Sequence, residues 1–109
     1  MNRYLNIGMM QFEISGDTDQ NIEKIKRNVF SLMNGLNRPE MILGPELGLG
    51  PNAKDEIPGR ITEILSGIAK EYRIYFLPGS IKQVVKDGEK EILYNAMPIF
   101  GLDGEIIDV

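Results

Sequence analysis

Residues 41–51 read Met-Ile-Leu-Gly-Pro-Glu-Leu-Gly-Leu-Gly-Pro, and how they are read decides the fold. Met41 to Gly44 form a short apolar run of the kind buried on both faces of a parallel sheet. Pro45 has no N–H to give to a strand ladder, so the run stops there. Glu46 follows at once. Leu47 and Leu49 then alternate with Gly48 and Gly50 up to Pro51. A carboxylate at the carboxyl end of a buried strand, followed by pliant backbone, stands where open α/β sheets gather their ligands. An ordinary solvated loop starts in the same way, because exposure is the usual fate of a glutamate. The flanking sequence has to separate the two.

Upstream, Tyr4 to Phe12 alternates as a strand, with apolar residues on both faces as a central strand requires. Ser15 to Asp19 is polar and contains Gly16, which ends it. Asp17 is placed to cap a helix, with Gln20 three residues on as a weak capping box. Ile22, Ile25, Val29, Leu32, Met33 and Leu36 recur at helical spacing. Glu23 and Arg27 are set for an i,i+4 ion pair on the wet side, and Asn34-Gly35 suits a helix end. Strand, helix and strand predict a right-handed βαβ crossover.

Downstream, Ile61, Ile64, Leu65, Ile68, Ala69 and Tyr72 form the apolar stripe of a second helix, from about Pro58 to Tyr72. Ile74 to Leu77 is another buried strand, closed by Pro78-Gly79-Ser80. Ile81 to Lys86 continues as an extended piece into Asp87-Gly88, a hairpin turn. Ile92 to Phe100 is the return strand, with Pro98 marking a bulge or an edge. Asp103-Gly104 is a second turn, and Glu105 to Val109 opens one more strand with an apolar edge. The predicted order is β-α-β-α-β and then a meander, in a single, partial α/β domain spanning residues 1–109.

Composition narrows the chemistry. The net charge is −4 and the pI about 4.8. No basic patch exists to displace counterions, which argues against nucleic acid and against an anionic membrane surface. No apolar run approaches the roughly 18 residues of a membrane helix, and the first strand lacks a cleavage site of signal-peptide type. A cytoplasmic location is the expectation. Cysteine and histidine are both absent. That removes disulfides, thiolate nucleophiles, Cys/His zinc sites and every Ser-His or Cys-His catalytic pair from these 109 residues. The glycines at 44, 48 and 50 fit neither a dinucleotide fingerprint nor a Walker loop, so no cofactor and no metal is implied.

The order of these signals resembles the first part of a member of the nitrilase, or carbon–nitrogen hydrolase, superfamily. The matching pieces are a strand ending at Gln11, the Asp17 to Asn21 entry into a helix, Leu43-Gly44-Pro45-Glu46-Leu47 as the family's Pro-Glu motif, Pro78-Gly79-Ser80, Tyr94-Asn95-Ala96, and the Gly104-Glu105-Ile106 turn. The likeness implies the N-terminal part of a four-layer αββα sandwich and hydrolysis of an amide or nitrile. In that family a Cys attacks the carbon, a Glu accepts the thiol proton and later activates water, and a Lys steadies the developing negative charge. The roles are physically sound: a thiol of pKa about 8.5 needs a nearby base. A carboxylate among apolar neighbours can serve as that base near neutrality, and a cation stabilises the oxyanion.

By the resemblance Glu46 is the base. The family's Lys would fall shortly beyond Val109, the nucleophile later still, and Lys82, Lys86 and Lys90 do not match its position. Arg38-Pro39-Glu40 and Leu49-Gly50-Pro51 also depart from the family pattern. The chain is therefore expected to be an N-terminal segment, inactive alone, that pairs with itself or with a C-terminal half and sees a small amide or nitrile only once completed. The alternative is a non-catalytic binding or self-assembling α/β module. Asn95 is expected to be a satisfied strand residue, with hydrogen bonding to strand ends near the site as the alternative. Tyr75, Phe76 and Tyr94 are expected as core or interface aromatics, and the methionines at 9, 10, 33, 41 and 97 as core filler.

Overall fold

The computed structural model describes residues 4–109. Two sheets are present among them. The larger has five strands: β1 (Ile7–Met9), β2 (Met41–Leu43), β4 (Tyr75–Leu77), β7 (Ile99–Phe100) and β8 (Ile106–Asp108), in that spatial order. β1, β2 and β4 run parallel; β7 and β8 are antiparallel additions. The smaller sheet is β3 (Lys54–Asp55), β5 (Ile81–Asp87) and β6 (Lys90–Ala96). Helices α1 (Thr18–Met33) and α2 (Arg60–Tyr72) make the crossovers between the parallel strands.

Register explains the layering. Gly8, Ile42, Phe76 and Phe100 stand in one row across the large sheet. They form a core with Ile22, Ile25, Val29 and Met33 of α1 and with Ile61, Leu65, Ile68 and Ala69 of α2. The Phe76 and Phe100 rings meet at a centroid distance of 6.4 Å, tilted by 36°. The alternate residues Ile7, Met9 and Tyr75 point away from the helices, and all three are exposed. One face of the sheet is thus packed and the other bare.

The helix ends follow the expected chemistry. Asp17 Oδ1 accepts the Gln20 N–H at 3.1 Å, satisfying one of the orphan donors of α1. Asp55, largely buried, accepts the Thr62 N–H at 2.9 Å and performs the same service for α2 from outside the helix.

Several expectations are corrected. β1 covers only Ile7–Met9 and lies at a sheet edge rather than at its centre. Met9 is 74% exposed. α1 ends at Met33, so Leu36 falls beyond it and is fully exposed. Glu23 pairs with Lys26 at 3.5 Å, at the i,i+3 spacing, instead of with Arg27 at i,i+4. The stretch from Ile92 to Phe100 is two strands: β6 ends at Ala96 in the small sheet, and the chain crosses at Met97-Pro98 to enter the large sheet as β7. A proline has no N–H for either ladder and so sits at the break. β3 is too short for a pattern to announce it. Of the methionines expected as core filler, Met10 and Met33 are buried and Met41 is half-buried, whereas Met9 and Met97 are exposed. Of the aromatics expected in the core or at an interface, Phe76 is in the core and Tyr75 and Tyr94 are at the surface.

Candidate active site

β2 delivers the chain to Gly44-Pro45-Glu46 at the carboxyl end of a parallel strand flanked by β1 and β4. The turn that carries Glu46 is fixed from several directions. The Gly48 N–H donates to the Pro45 carbonyl at 3.0 Å and the Gly50 N–H to the Leu47 carbonyl at 2.8 Å. Leu47 itself has φ +51°, the left-handed region. A branched side chain held there costs about 1 kcal/mol or more and persists only where its surroundings over-determine it.

Those surroundings are the end of β4. The Gly44 N–H donates to the Leu77 carbonyl at 2.7 Å. A Cβ on Gly44 would collide with the Pro78 carbonyl, and one on Gly79, at φ +104°, with the Pro45 carbonyl. The two turns therefore lie backbone against backbone, a separation only glycine permits. Ser80 completes the junction: its Oγ accepts the Leu47 N–H at 2.9 Å. On the far side of the loop Asn21, fully buried, donates from Nδ2 to the Leu49 carbonyl at 3.0 Å and to the Ser15 carbonyl at 2.7 Å. Its Oδ1 accepts the Ser15 N–H at 2.8 Å. One amide thus ties α1, the segment after β1 and the Glu46 loop together.

The Glu46 side chain opens into a cleft of about 310 Å³ bordered by Gly44, Gly79, Ser80, Asn95, Ala96 and Met97. The nearest polar partner is Asn95, on β6 of the small sheet, whose Nδ2 donates to Glu46 Oε1 at 3.5 Å. Asn95, expected as a satisfied strand residue, is brought to the carboxylate from 49 positions away. Glu46 is exposed, so the apolar enclosure expected of a base is not formed by the described residues. No cation among them forms an ion pair with it: Lys86 is engaged with Glu56 at 3.2 Å and Lys54 with Glu91 at 3.9 Å. Among the described residues no cluster of three or more acidic side chains gathers as for a metal. A larger hollow of about 460 Å³ lies between α1 and α2, beside Phe30, Ile68 and Tyr72. It is on the helical side of the sheet and holds none of the groups around Glu46.

The sequence pattern assigns no role to Ser80, Asn21 or Asp55. For Ser80 the usable signal is a hydroxyl directly after a turn glycine. For Asn21 it is an amide on the apolar side of a helix, one residue before Ile22.

No known family model matches the chain. It is 29% identical over 113 aligned positions to the chloroplastic omega-amidase of Arabidopsis thaliana, across 93% of this chain and 29% of that protein. It is 44% identical over 57 positions to omega-amidase NIT2-A of Xenopus laevis, across 52% of this chain and 19% of that one. In structure, Nit3 of Saccharomyces cerevisiae, a member of branch 10 of the nitrilase superfamily, superposes with a TM-score of 0.81 at 20% identity over 95% of this chain and 42% of its own. In sequence the chain is similar to a segment of these omega-amidases, and in fold it matches part of a nitrilase-superfamily protein. It spans less than a third of the length of these curated omega-amidases. The described strands and helices are only part of the nitrilase-type architecture they match. No helix among the described residues is long and apolar enough to cross a membrane.

Proposed function

We propose that Glu46 is the general base of a carbon–nitrogen hydrolase whose thiol and ammonium lie outside these 109 residues. The observation that carries this reading is the seat of the carboxylate: the carboxyl end of a parallel strand, on a turn locked by its neighbour, open to a cleft shared with Asn95. In the proposed reaction the carboxylate accepts the proton of a cysteine thiol as the sulfur attacks an amide carbon. Glu46 passes that proton to the departing amine and a thioester remains; the carboxylate then takes a proton from the water that hydrolyses the thioester and returns it to the sulfur as the acid leaves. With no cysteine of its own, the chain does not turn over substrate alone. The similarity to omega-amidases favours a small ω-amide over a nitrile.

The test is a chimera of this chain with the part of the Arabidopsis thaliana omega-amidase that it does not match. Ammonia release from an ω-amide should appear in the chimera, be absent from the chain alone, and fall by roughly 10²-fold or more in Glu46→Gln. A folded chimera that is equally active with Gln at position 46 refutes the reading.

A second reading is favoured by the bare sheet face. Ile7, Met9, Tyr75 and Ile107 stand exposed there, and exposed apolar faces of this kind mark interaction surfaces. The chain would pair through it with a C-terminal half or, lacking one, with itself. Light scattering that shows a compact monomer at high concentration, and no capture of a C-terminal half, counts against it.

A further inference from the structure

We infer that Ser80 is the positioning residue that holds Glu46 in its cleft, acting through the left-handed backbone of Leu47. The inference rests on reading Glu46 as the working carboxylate, but its structural content stands apart from catalysis. Leu47 follows Glu46 directly and has φ +51°, a conformation that leucine leaves unless something holds it. One side-chain hydrogen bond reaches its backbone: the Leu47 N–H donates to Ser80 Oγ at 2.9 Å. Ser80 is about nine-tenths buried, so water does not readily replace that acceptor.

The serine is itself immovable. It follows Gly79, whose φ of +104° and contact with the Pro45 carbonyl fix where the next residue emerges. Ile81, which follows it, is fully buried at the start of β5. The same strand pairs with β6 so that Lys82 lies opposite Asn95. Ser80 thus sits at the junction from which both walls of the cleft depart: the Glu46 turn on one side and the strand pair carrying Asn95 on the other. Removing its hydroxyl frees Leu47 to leave the left-handed region. The rotation of that peptide swings the preceding residue, and the Glu46 carboxylate leaves Asn95.

The test uses the 109-residue chain and nuclear magnetic resonance. The readouts are hydrogen exchange at the Leu47 amide and the dipolar contact between the Glu46 side chain and the Asn95 side-chain amide. Ser80→Ala should speed Leu47 exchange at least tenfold and abolish the contact, while amides of α1 and α2 keep their protection. Ser80→Thr, which keeps the hydroxyl, should retain the contact. Leu47→Gly added to Ser80→Ala should restore it, because glycine adopts φ near +51° unaided. Persistence of the contact in Ser80→Ala overturns the inference. So does loss of α1 and α2 protection in that variant, which would make Ser80 a residue of general stability. Because nothing here is read from turnover, failure of the base assignment in the chimera leaves this result intact, and the reverse also holds.

Discussion

Replacing Asn21 by Ala should be among the most destabilising changes available on α1, although it removes only one small polar group. The side chain is fully buried and makes three hydrogen bonds to backbone, two to Ser15 and one to Leu49. The Leu49 carbonyl is buried and loses a side-chain donor, worth about 1–3 kcal/mol. The two Ser15 groups are part-buried, so water recovers some of their loss, and each contributes about 0.5–1 kcal/mol. The sum is about 3 kcal/mol, a large share of the 5–15 kcal/mol that usually holds a domain together. In urea, with a slope of about 1.5 kcal/mol per molar, the midpoint should fall by about 2 M. The measurement belongs at one low chain concentration, so that self-association does not enter. Asn21→Asp is the sharper test. It keeps an acceptor for the Ser15 N–H, loses both donated bonds, and sets a carboxylate against two carbonyls, so it should cost at least as much. Asn28→Ala is the control. Asn28 donates to the Lys24 carbonyl one turn back on the same helix at 2.9 Å, a group the helix ladder already serves, and its loss should stay within about 0.5 kcal/mol. An Asn21→Ala midpoint within about 0.5 M of the wild type would refute the view that this amide ties the Glu46 loop to the fold.

Phe76→Ala should cost about 3–5 kcal/mol in the same denaturation assay, since the ring is fully buried against Phe100 and has no route to collapse; a cost under 2 kcal/mol would mean that the row across the sheet is not the core. Gly79→Ala should be disproportionately harmful for one methyl, as it meets both a positive φ and the Pro45 carbonyl. Crystallography or resonance shifts should place the disturbance at residues 44–48 rather than in the helices. Ile7→Lys combined with Tyr75→Lys, both on the bare sheet face, should shift light scattering toward monomer with little change in thermal midpoint. A larger loss of stability than of association would show that this face is packed within the chain.

The sequence is informative where one face of an element is buried and silent where geometry is set from afar. The stripes Ile22-Ile25-Val29-Met33 and Ile61-Leu65-Ile68-Ala69 are legible because each helix has one dry side. Asp17 is legible as a cap because its partner is three residues away. The split of residues 92–100 between two sheets is not, because alternation looks the same whichever neighbour a strand pairs with. Tyr75 and Met9 mislead for a related reason: an apolar residue on a strand declares a face, and whether that face is covered depends on what else is in the architecture. At the site, the position of Glu46 after β2 follows from the chain pattern. Its contact with Asn95 does not, because it depends on β5 and β6 pairing in the small sheet, which brings Asn95 beside the cleft.

That division bears on what this segment would contribute to the proposed hydrolase. The Glu46 turn is held by an unusual concentration of local constraint: a left-handed leucine, a buried serine acceptor, two glycine contacts and a buried asparagine. None of these groups belongs to the bare sheet face, where Ile7, Met9, Tyr75 and Ile107 stand exposed. A carboxylate whose place depended on the covering of that face would be expected on a loop supported from that side. Glu46 is supported instead from the helical side by Asn21 and along the strand ends by Ser80. The backbone geometry of the Glu46 turn is therefore complete within this segment, whereas the surroundings that a general base would need are not: the carboxylate is exposed and makes no ion pair among the described residues. Preorganised geometry is the part of catalysis that rigid neighbours supply, and a cation and the exclusion of water are the parts that enclosure supplies. On that argument, adding the remainder of the fold should change the solvent access and charge environment of Glu46 far more than its position. Comparing the residue 44–48 backbone resonances with those of the Glu46 side chain, before and after completion, measures the two separately.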